Sequence, residues 1–232
     1  MRFVDRFQAI FFDMNGTFMF GHDRLGPGED FFATYRALGG GRLTCEEVQD
    51  RVMQICACLQ RDYNDPKRFD TFPTLLDAVS TYGRLDGQDA LDIANVIAAH
   101  EVGRVPSWAV TTLQALSHTH SLAVVSNVWA PAEAWDEEFA RRGLSSVFLC
   151  RIFSSSIGAV KPSPRLFLTA LEQMGVQPSR SLFVGDSIER DIQPARKLGF
   201  STVFVGPESE STEADLVVRS IDQLLEETGR LE

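Results

Sequence analysis

Polar side chains that could take part in chemistry follow several apolar segments of the chain. The first segment is followed by Asp13 and Asn15, and a later one by Asp186. A carboxylate can act as a nucleophile and divide a difficult substitution into two easier displacements through a covalent intermediate. Carboxylates also supply the oxygen ligands that Mg²⁺ prefers. These residue types therefore indicate a nucleophilic site, with Asp13 as the nucleophile and with Asp13 and Asp186 as metal ligands.

Other polar residues in comparable positions are expected to act as hydrogen-bond donors. Ser126 and Asn127 follow the second apolar segment, and Lys161 lies a short loop beyond the third. Attack on a phosphoryl group requires the charge on its oxygens to be neutralised by cations and fixed donors. We therefore expect these three residues to bind the transferred group, helped by backbone N–H groups in the turn after Asp13.

The apolar segments themselves predict a parallel β-sheet. They are rich in β-branched and aromatic residues, as is typical of strands that are covered on both faces. Amphipathic helical patterns separate them, and this alternation predicts a doubly wound α/β fold. The predicted strands are residues 9–12, 122–125, 151–153, 182–184, 202–205 and 215–218, and the predicted helices of this part are 132–142, 164–174, 192–198 and 221–228. In such sheets ligands bind outside the carboxyl ends of the strands, so the polar residues should meet at one edge.

Residues 18–105 interrupt this alternation. They contain helical patterns at 31–38, 45–61, 72–81 and 88–100, and their one candidate strand lies near 18–20. An insertion of this size far exceeds an ordinary connection between a strand and a helix. We therefore predict a core formed by residues 1–17 and 106–232, and a helical cap formed by residues 18–105 over one end of the sheet.

Some side chains in and near the insertion are ambiguous. His22 and Arg24 follow the first polar segment closely and could overhang the site, but exposed loop charges are the commoner explanation. Aromatic residues are expected to form the core of the cap rather than to stack on a substrate. These aromatic residues are Phe31, Phe32, Phe69, Phe72 and Trp108.

The composition argues against several kinds of partner. The formal net charge of −10 disfavours binding to nucleic acids or to anionic membranes. No apolar run approaches the roughly 18 residues needed to span a membrane, and Asp5 and Arg6 interrupt any signal-peptide core. The four cysteines form no C-x-x-C pair and are expected to be reduced thiols. We therefore expect a cytoplasmic protein, a monomer or homodimer, with no nucleic-acid or membrane partner.

The polar segments resemble, in order and spacing, the four motifs of the haloacid dehalogenase superfamily. The matching stretches are 10–17 (IFFDMNGT), 124–127 (VVSN), 158–167 (GAVKPSPRLF) and 184–192 (VGDSIERDI). A helical insertion after the first motif resembles the superfamily's C1-cap group. The resemblance implies a Rossmann-like core, a mobile cap that closes over the substrate, and Mg²⁺ held by Asp13, Asp186 and the backbone carbonyl of Asn15. It also implies supporting roles for Ser187 and Asp191, although Asp191 could equally cap the helix that follows.

Asn15 departs from the pattern of the superfamily's phosphatases, which carry a second aspartate at this position as general acid and base. A carboxamide cannot transfer a proton near neutral pH, and losing such a group typically costs about 10²–10⁴ in rate. Three explanations stay open: another residue, for example from the cap, carries the proton; the leaving group needs no proton, as in dehalogenation; or the site binds without efficient turnover.

Asp186 favours a phosphatase among these alternatives. The superfamily's dehalogenases work without a metal and typically lack an acidic ligand in the fourth motif. The sequence therefore predicts a magnesium-dependent phosphatase that acts on a small phosphorylated metabolite through an aspartyl-phosphate intermediate, with slow turnover because of Asn15. A 2-haloacid dehalogenase and a non-catalytic protein that binds phosphometabolites are the alternatives.

Overall fold

A six-stranded parallel sheet forms the centre of the computed structural model, which describes residues 1–207 and 213–226. Its strands are β1 Ala9–Phe12, β2 Ser121–Ser126, β3 Phe148–Phe153, β4 Ser181–Gly185, β5 Ser201–Val205 and β6 Leu216–Val218. They lie in the order β3-β2-β1-β4-β5-β6, and every neighbouring pair is parallel. The predicted α/β fold with a parallel sheet is confirmed.

The central strand β1 is fully buried because it packs on both faces of the sheet. Ile10 and Phe12 point into one apolar cluster, and Ala9 and Phe11 point into another. β1 pairs in register with β2 and β4, so that Phe12 lies between Val124 and Val184. The residue after Phe12 therefore emerges between the carboxyl ends of two neighbouring strands.

Helices cover both faces of this sheet. They are α5 Ser107–Ser117, α6 Ala132–Arg141, α7 Ser154–Ile157, α8 Pro164–Met174 and α9 Gln193–Lys197. Of the terminal helix predicted at 221–228, Ile221–Leu225 form a 3-10 helix, and residues 227–228 lie outside the described residues. The helix predicted at 192–198 is the shorter α9, and a π-helical turn, Ile188–Ile192, directly precedes it. The sequence prediction assigned no element to α5, although its buried face has helical spacing, because its β-branched residues have low helix propensity.

The insertion forms four helices that pack around a hydrophobic cluster of their own. They are α1 Phe31–Ala37, α2 Cys45–Asn64, α3 Leu75–Gly83 and α4 Gly87–Glu101. Thr44 and Thr74 begin α2 and α3 with reciprocal capping hydrogen bonds to an acidic residue three positions later. The N–H groups of Phe20 and Arg104 donate to each other's carbonyl oxygens and join the two ends of the insertion. The exact division of the chain at 17/18 and 105/106 stays a prediction.

The aromatic side chains of this region separate into two groups. Phe31 and Phe72 are buried in the helical cluster, and Phe32 and Phe69 pack at its edge. Trp108 does not belong to this cluster: it lies on α5, is 40% exposed and contacts Phe20. Within the described residues, no helix combines the length and the apolar character needed to cross a membrane.

Glu101, the last residue of α4, attaches the helical insertion to the core. Its carboxylate is 3% exposed and accepts the N–H groups of Trp129 and Ala130, at 2.6 and 2.5 Å. These two residues follow β2, close to the end of the strand that carries Ser126. Burial raises the pKa of Glu101 to about 8, although the hydrogen bonds from the two N–H donors act to lower it. The carboxylate therefore connects the insertion to the strand end that should form the site.

We predict that Glu101→Ala lowers the free energy of unfolding by about 2–4 kcal/mol, because two buried N–H donors lose their acceptor. Urea denaturation of wild type and variant measures the difference. Glu172→Ala is the matched control, since Glu172 is exposed on α8. A Glu101→Ala effect as small as that of the control would contradict this role.

Candidate active site

Asp13 lies at the centre of the carboxyl edge of the sheet. It directly follows β1, its N–H donates to the carbonyl oxygen of Val184, and its side chain is almost fully buried. The hydroxyl of Ser126 donates to Oδ1 of Asp13 at 2.9 Å, and the ammonium of Lys161 donates to the same oxygen at 2.6 Å. Both donors use Oδ1, and no described residue donates a hydrogen bond to Oδ2. Oδ2 is therefore the oxygen that is free to attack.

Lys161 lies between two carboxylates in the interior of the protein. Its Nζ is 2.6 Å from Oδ1 of Asp13 and 2.6 Å from Oδ1 of Asp191, and its side chain is 2% exposed. Burial alone would lower the pKa of Lys161, but the two carboxylates raise it above its usual value. The side chain is therefore a permanent ammonium. An ammonium has three N–H donors, and two of them are used here.

The carboxylates of Asp13, Asp186 and Asp191 form an acidic cluster. Each offers one oxygen, and these oxygens all lie within 4.8 Å of one another. Desolvation, followed by repulsion from Asp13 and Asp191, raises the pKa of Asp186 to about 7, and burial also raises the pKa of Asp191. The ammonium of Lys161 thus lies beside three acidic groups and forms ion pairs with two of them, Asp13 and Asp191. This excess of hard oxygen ligands and negative charge fits a divalent cation such as Mg²⁺.

Two glycines allow this cluster to be so compact. Gly16 has φ +84°, and a Cβ at this position would lie 2.1 Å from a carboxyl oxygen of Asp186. A Cβ at Gly185 would lie 2.5 Å from a carboxyl oxygen of Asp191. The backbone of the first motif therefore contacts the acidic side chain of the fourth directly. Any side chain at position 16 would separate them.

The candidate site opens into two adjoining cavities. The inner cavity, of about 250 Å³, is lined by Asp13, Asn15, His22, Asp23, Tyr63, Asn127, Lys161, Asp186, Ser187, Arg190 and Asp191. The outer cavity, of about 400 Å³, is lined by Asp23, Leu25, Met53, Cys56, Ala57, Gln60, Tyr63, Glu101, Asn127 and Trp129. Asp23, Tyr63 and Asn127 line both cavities and mark their junction. Half of the residues that line the outer cavity come from α2 of the insertion.

A family model described as haloacid dehalogenase-like hydrolase matches residues 93–205. This stretch contains Ser126, Lys161 and Asp186, and the geometry above adds Asp13 to them. The chain contains a haloacid dehalogenase-like hydrolase domain.

A phosphatase is among the proteins that are similar in sequence to this chain. The chain is 29% identical over 147 residues to a glyceraldehyde 3-phosphate phosphatase of Methanopyrus kandleri, which covers 61% of this chain and 59% of that relative. The chain thus spans less than two thirds of this relative's length.

Solved structures share the fold at lower identity. An HAD phosphatase of Thermococcus onnurineus has a TM-score of 0.64 and 21% identity, covering 94% of this chain and 95% of that one. A 2-haloacid dehalogenase of Pseudomonas syringae has a TM-score of 0.61 and 22% identity, covering 94% and 96%. Phosphatases and dehalogenases therefore share this architecture, and the fold alone does not separate the two activities.

Within the candidate site, Asn127 and Ser187 hold other groups in place. The Asn127 amide donates to the hydroxyl of Tyr63 and to the carbonyl oxygen of Lys161, and its oxygen accepts the N–H of Lys161. Both amide hydrogens are thus used, and donation to a phosphoryl group would require one of these bonds to break. The N–H of Ser187 donates to Asp191, and its hydroxyl accepts the N–H of Arg190.

Asn15 lines the inner cavity without a hydrogen-bond partner for its side-chain oxygen. This oxygen is buried, and among the described residues nothing donates to it. Its position beside the acidic cluster is compatible with the predicted role of residue 15 next to a metal. The predicted use of the backbone carbonyl as a ligand stays a prediction.

Tyr63 and Arg190 were not among the candidates from the sequence. The Arg190 guanidinium lies 3.8 Å from the ring centroid of Tyr63 and donates to the carbonyl oxygens of Lys161 and Tyr63. It therefore joins the fourth motif, the lysine loop and the end of α2. A charged residue next to Asp191 and a tyrosine near the end of a long helix carry no pattern that would mark this contact.

His22 and Arg24, which the sequence left ambiguous, have different positions relative to the site. His22 lines the inner cavity, whereas Arg24 donates to the carbonyl oxygen of Ala99 away from it. The expectation that both are exposed loop charges is therefore wrong for His22, because the chain turns back toward the sheet after the first motif.

We predict that Gly16→Ala weakens Mg²⁺ binding by about 10–100-fold, because the added methyl group displaces Asp186. Isothermal titration calorimetry measures the affinity. Gly39→Ala is the matched control: Gly39 also has positive φ, but no atom lies within 4 Å of its added Cβ. Both variants should lose roughly 1 kcal/mol of stability from backbone strain. Equal Mg²⁺ affinity in the two variants would exclude the proposed contact.

We predict that Lys161→Met lowers the free energy of unfolding by about 3–5 kcal/mol at pH 7, because two buried carboxylates lose their cation. The ammonium lowers the pKa of Asp191 against the effect of burial, so without it the folded-state pKa of this carboxyl rises further above the unfolded value of about 3.9. A raised folded pKa means that stability falls as pH rises through this range, so the defect should shrink toward about pH 4. Denaturation at several pH values tests this, with exposed Lys197→Met as control. A defect that does not change with pH would contradict the ion-pair explanation.

Proposed function

We propose that this chain is a magnesium-dependent phosphatase that hydrolyses a small phosphorylated metabolite through an aspartyl-phosphate intermediate. The observation that carries this proposal is the acidic cluster of Asp13, Asp186 and Asp191 around Lys161. One carboxylate would suffice for a nucleophile. The additional carboxylates increase the negative charge at the place where an anionic substrate must bind. A divalent cation would neutralise this charge.

The side chains divide the chemistry between them. Oδ2 of Asp13 attacks phosphorus, a bond from phosphorus to the leaving oxygen breaks, and that oxygen takes up a proton. Lys161 has one N–H left to donate to a phosphoryl oxygen. Mg²⁺, held by Asp13, Asp186 and the carbonyl of Asn15, would neutralise charge on the phosphoryl group. Water then releases phosphate from the acyl phosphate and restores the Asp13 carboxylate.

The relatives support phosphate esters as the substrate class. The similar proteins include phosphatases named for glyceraldehyde 3-phosphate and for phosphoserine. These names describe those proteins and, for this chain, make a small phosphorylated metabolite the first class to test. A cytoplasmic location and a monomeric or homodimeric state remain sequence-based expectations.

Dehalogenation is the second candidate, because a solved 2-haloacid dehalogenase shares the fold and because halide leaves without a proton. Asn15 would not impede that first step. Asp186 argues against it: a metal-free reaction gains nothing from a further carboxylate next to the nucleophile.

The experiment uses p-nitrophenyl phosphate with Mg²⁺ and then with excess chelator, on wild type, Asp13→Asn and Asn15→Asp. We predict a burst of nitrophenol followed by slow turnover, because an activated leaving group needs little protonation but water must still be activated. Intact-protein mass spectrometry should detect the phosphoenzyme in wild type and not in Asp13→Asn. Asn15→Asp should accelerate the slow phase at least about tenfold, since a general acid–base group contributes about 10²–10⁴.

Three results would contradict the proposal in different ways. Activity that survives chelation would exclude the metal. Halide release from a 2-haloacid would support dehalogenation. Thermal stabilisation by phosphate monoesters, with neither burst nor phosphoenzyme, would indicate a binding protein.

A further inference from the structure

The segment after the first motif brings two titratable side chains to the nucleophile. His22 and Asp23 line the same inner cavity as Asp13 and Asn15, and Nε2 of His22 lies 3.6 Å from Oδ2 of Asp23. Nδ1 of His22 is buried and has no hydrogen-bond partner among the described residues. Neither residue belongs to the four motifs, so the chemistry assigned so far leaves them without a role.

Backbone hydrogen bonds fix this segment in place. The N–H of Asp23 donates to the carbonyl oxygen of Glu101 at 3.1 Å, and the N–H of Arg24 donates to that of His100 at 2.9 Å. Asp23 itself has φ +54°, a left-handed conformation that is uncommon for a residue with a side chain. Such strained residues persist where the surrounding structure holds them, and they cluster at functional sites. The end of α4 thus holds the Asp23 side chain at the cavities.

Asp23 also stands where a leaving group would pass. It lines both the inner cavity, which holds the nucleophile, and the outer cavity, which has room for the rest of a substrate. Its side chain is 57% exposed and can exchange protons with solvent. Desolvation raises the pKa of Asp23, and the charge interaction with His22 acts to lower it.

We propose that Asp23, paired with His22, transfers the protons that Asn15 cannot transfer in this site, more slowly than a carboxyl group at position 15 would. The inference rests on the proposed phosphatase function. In the first half-reaction Asp23 gives its proton to the leaving oxygen as the bond to phosphorus breaks. In the second its carboxylate takes a proton from the water that attacks the aspartyl phosphate, so that the pair returns to its starting state. The charged groups that share its two cavities are His22, Asp13, Asp186, Asp191, Lys161, Arg190 and Glu101.

Rescue by a second substitution tests this directly. Asp23→Asn preserves the backbone, because asparagine tolerates the left-handed conformation. We expect steady-state turnover of an alkyl phosphate to fall at least about tenfold, with a smaller effect on the nitrophenol burst. Asn15→Asp introduced into Asp23→Asn should restore turnover, since it supplies the missing carboxyl at the other position. Asp23→Glu should keep turnover and shift its pH profile. Asp50→Asn, at an exposed position on α2, is the control.

The outcomes separate this inference from the function on which it rests. If wild type forms a phosphoenzyme and Asp23→Asn turns over within twofold of it, the inference is wrong and the phosphatase proposal stands. If Asp23→Asn is slow but Asn15→Asp does not rescue it, Asp23 is structural and the inference is also wrong. If wild type forms no phosphoenzyme, both proposals are overturned.

The charge of the outer cavity carries a second inference by itself. Its walls contain the apolar side chains of Leu25, Met53 and Trp129 and the acidic ones of Asp23 and Glu101. No lysine, arginine or histidine is among the residues that line it. A second anionic group on a substrate would therefore lose its hydration in this cavity without gaining a compensating cation.

We infer, again on the basis of the proposed function, that the substrate is a phosphate monoester whose leaving group is neutral and partly apolar. Ethyl phosphate and phosphoglycolate form a matched pair that differs in one carboxylate. We expect kcat/KM to be at least about tenfold higher for ethyl phosphate, a difference of 1.4 kcal/mol. Gln60→Arg places a cation in the outer wall and should narrow this ratio. Equal use of the two esters, or preference for phosphoglycolate, would overturn the inference, whereas failure with every monoester would overturn the phosphatase proposal itself.

Discussion

The buried ammonium of Lys161 is the interaction on which the site depends. Its desolvation is tolerable only because Asp13 and Asp191 lie on either side of it, and their burial is tolerable only because of the ammonium. The three groups come from three separate parts of the chain: the end of β1, the loop before α8, and the turn after β4. Correct packing of the core is therefore required before the charges can balance, and the balanced charges in turn hold the Asp13 carboxylate in one position.

The compactness of this charge cluster explains why two positions beside it are glycine. Gly16 and Gly185 each allow a carboxyl group to come closer than any side chain at these positions would permit. The consequence is an acidic cluster with less cationic charge than it needs. Such a site is prepared for a divalent cation and for an anionic substrate bound through it.

The helical insertion contributes side chains that hold parts of the site in place. Tyr63 from α2 accepts a hydrogen bond from Asn127 and lies under the guanidinium of Arg190, while Glu101 holds the backbone beyond β2. The same helices therefore fix the lysine loop and shape the outer cavity. In the proposals above the loop before α1 also provides the proton carrier, Asp23, so substrate choice and proton transfer would both depend on how the insertion packs.

The sequence by itself determined the sheet, its strand segments and the motif residues. Uniformly apolar strands and the polar residues that follow them are local patterns, and parallel strands necessarily bring their carboxyl ends to one edge. For the same reason Asp13, Ser126, Lys161 and Asp186 could be named as a site before any distance was known. The helix α5 was missed because its β-branched residues obscure a helical face that only packing against the sheet makes favourable.

What the tertiary structure alone decided is which side chains from outside the motifs reach that edge. Tyr63 and Asp23 carry no periodicity or spacing that distinguishes them from other residues, because their positions follow from the packing of the insertion against the core. His22 and Arg24 are two residues apart, yet only His22 lines the inner cavity, since backbone bonds to the end of α4 set the turn of the chain between them. The four motifs thus specify Asp13 and its charged partners locally, and long-range packing specifies which other side chains surround them.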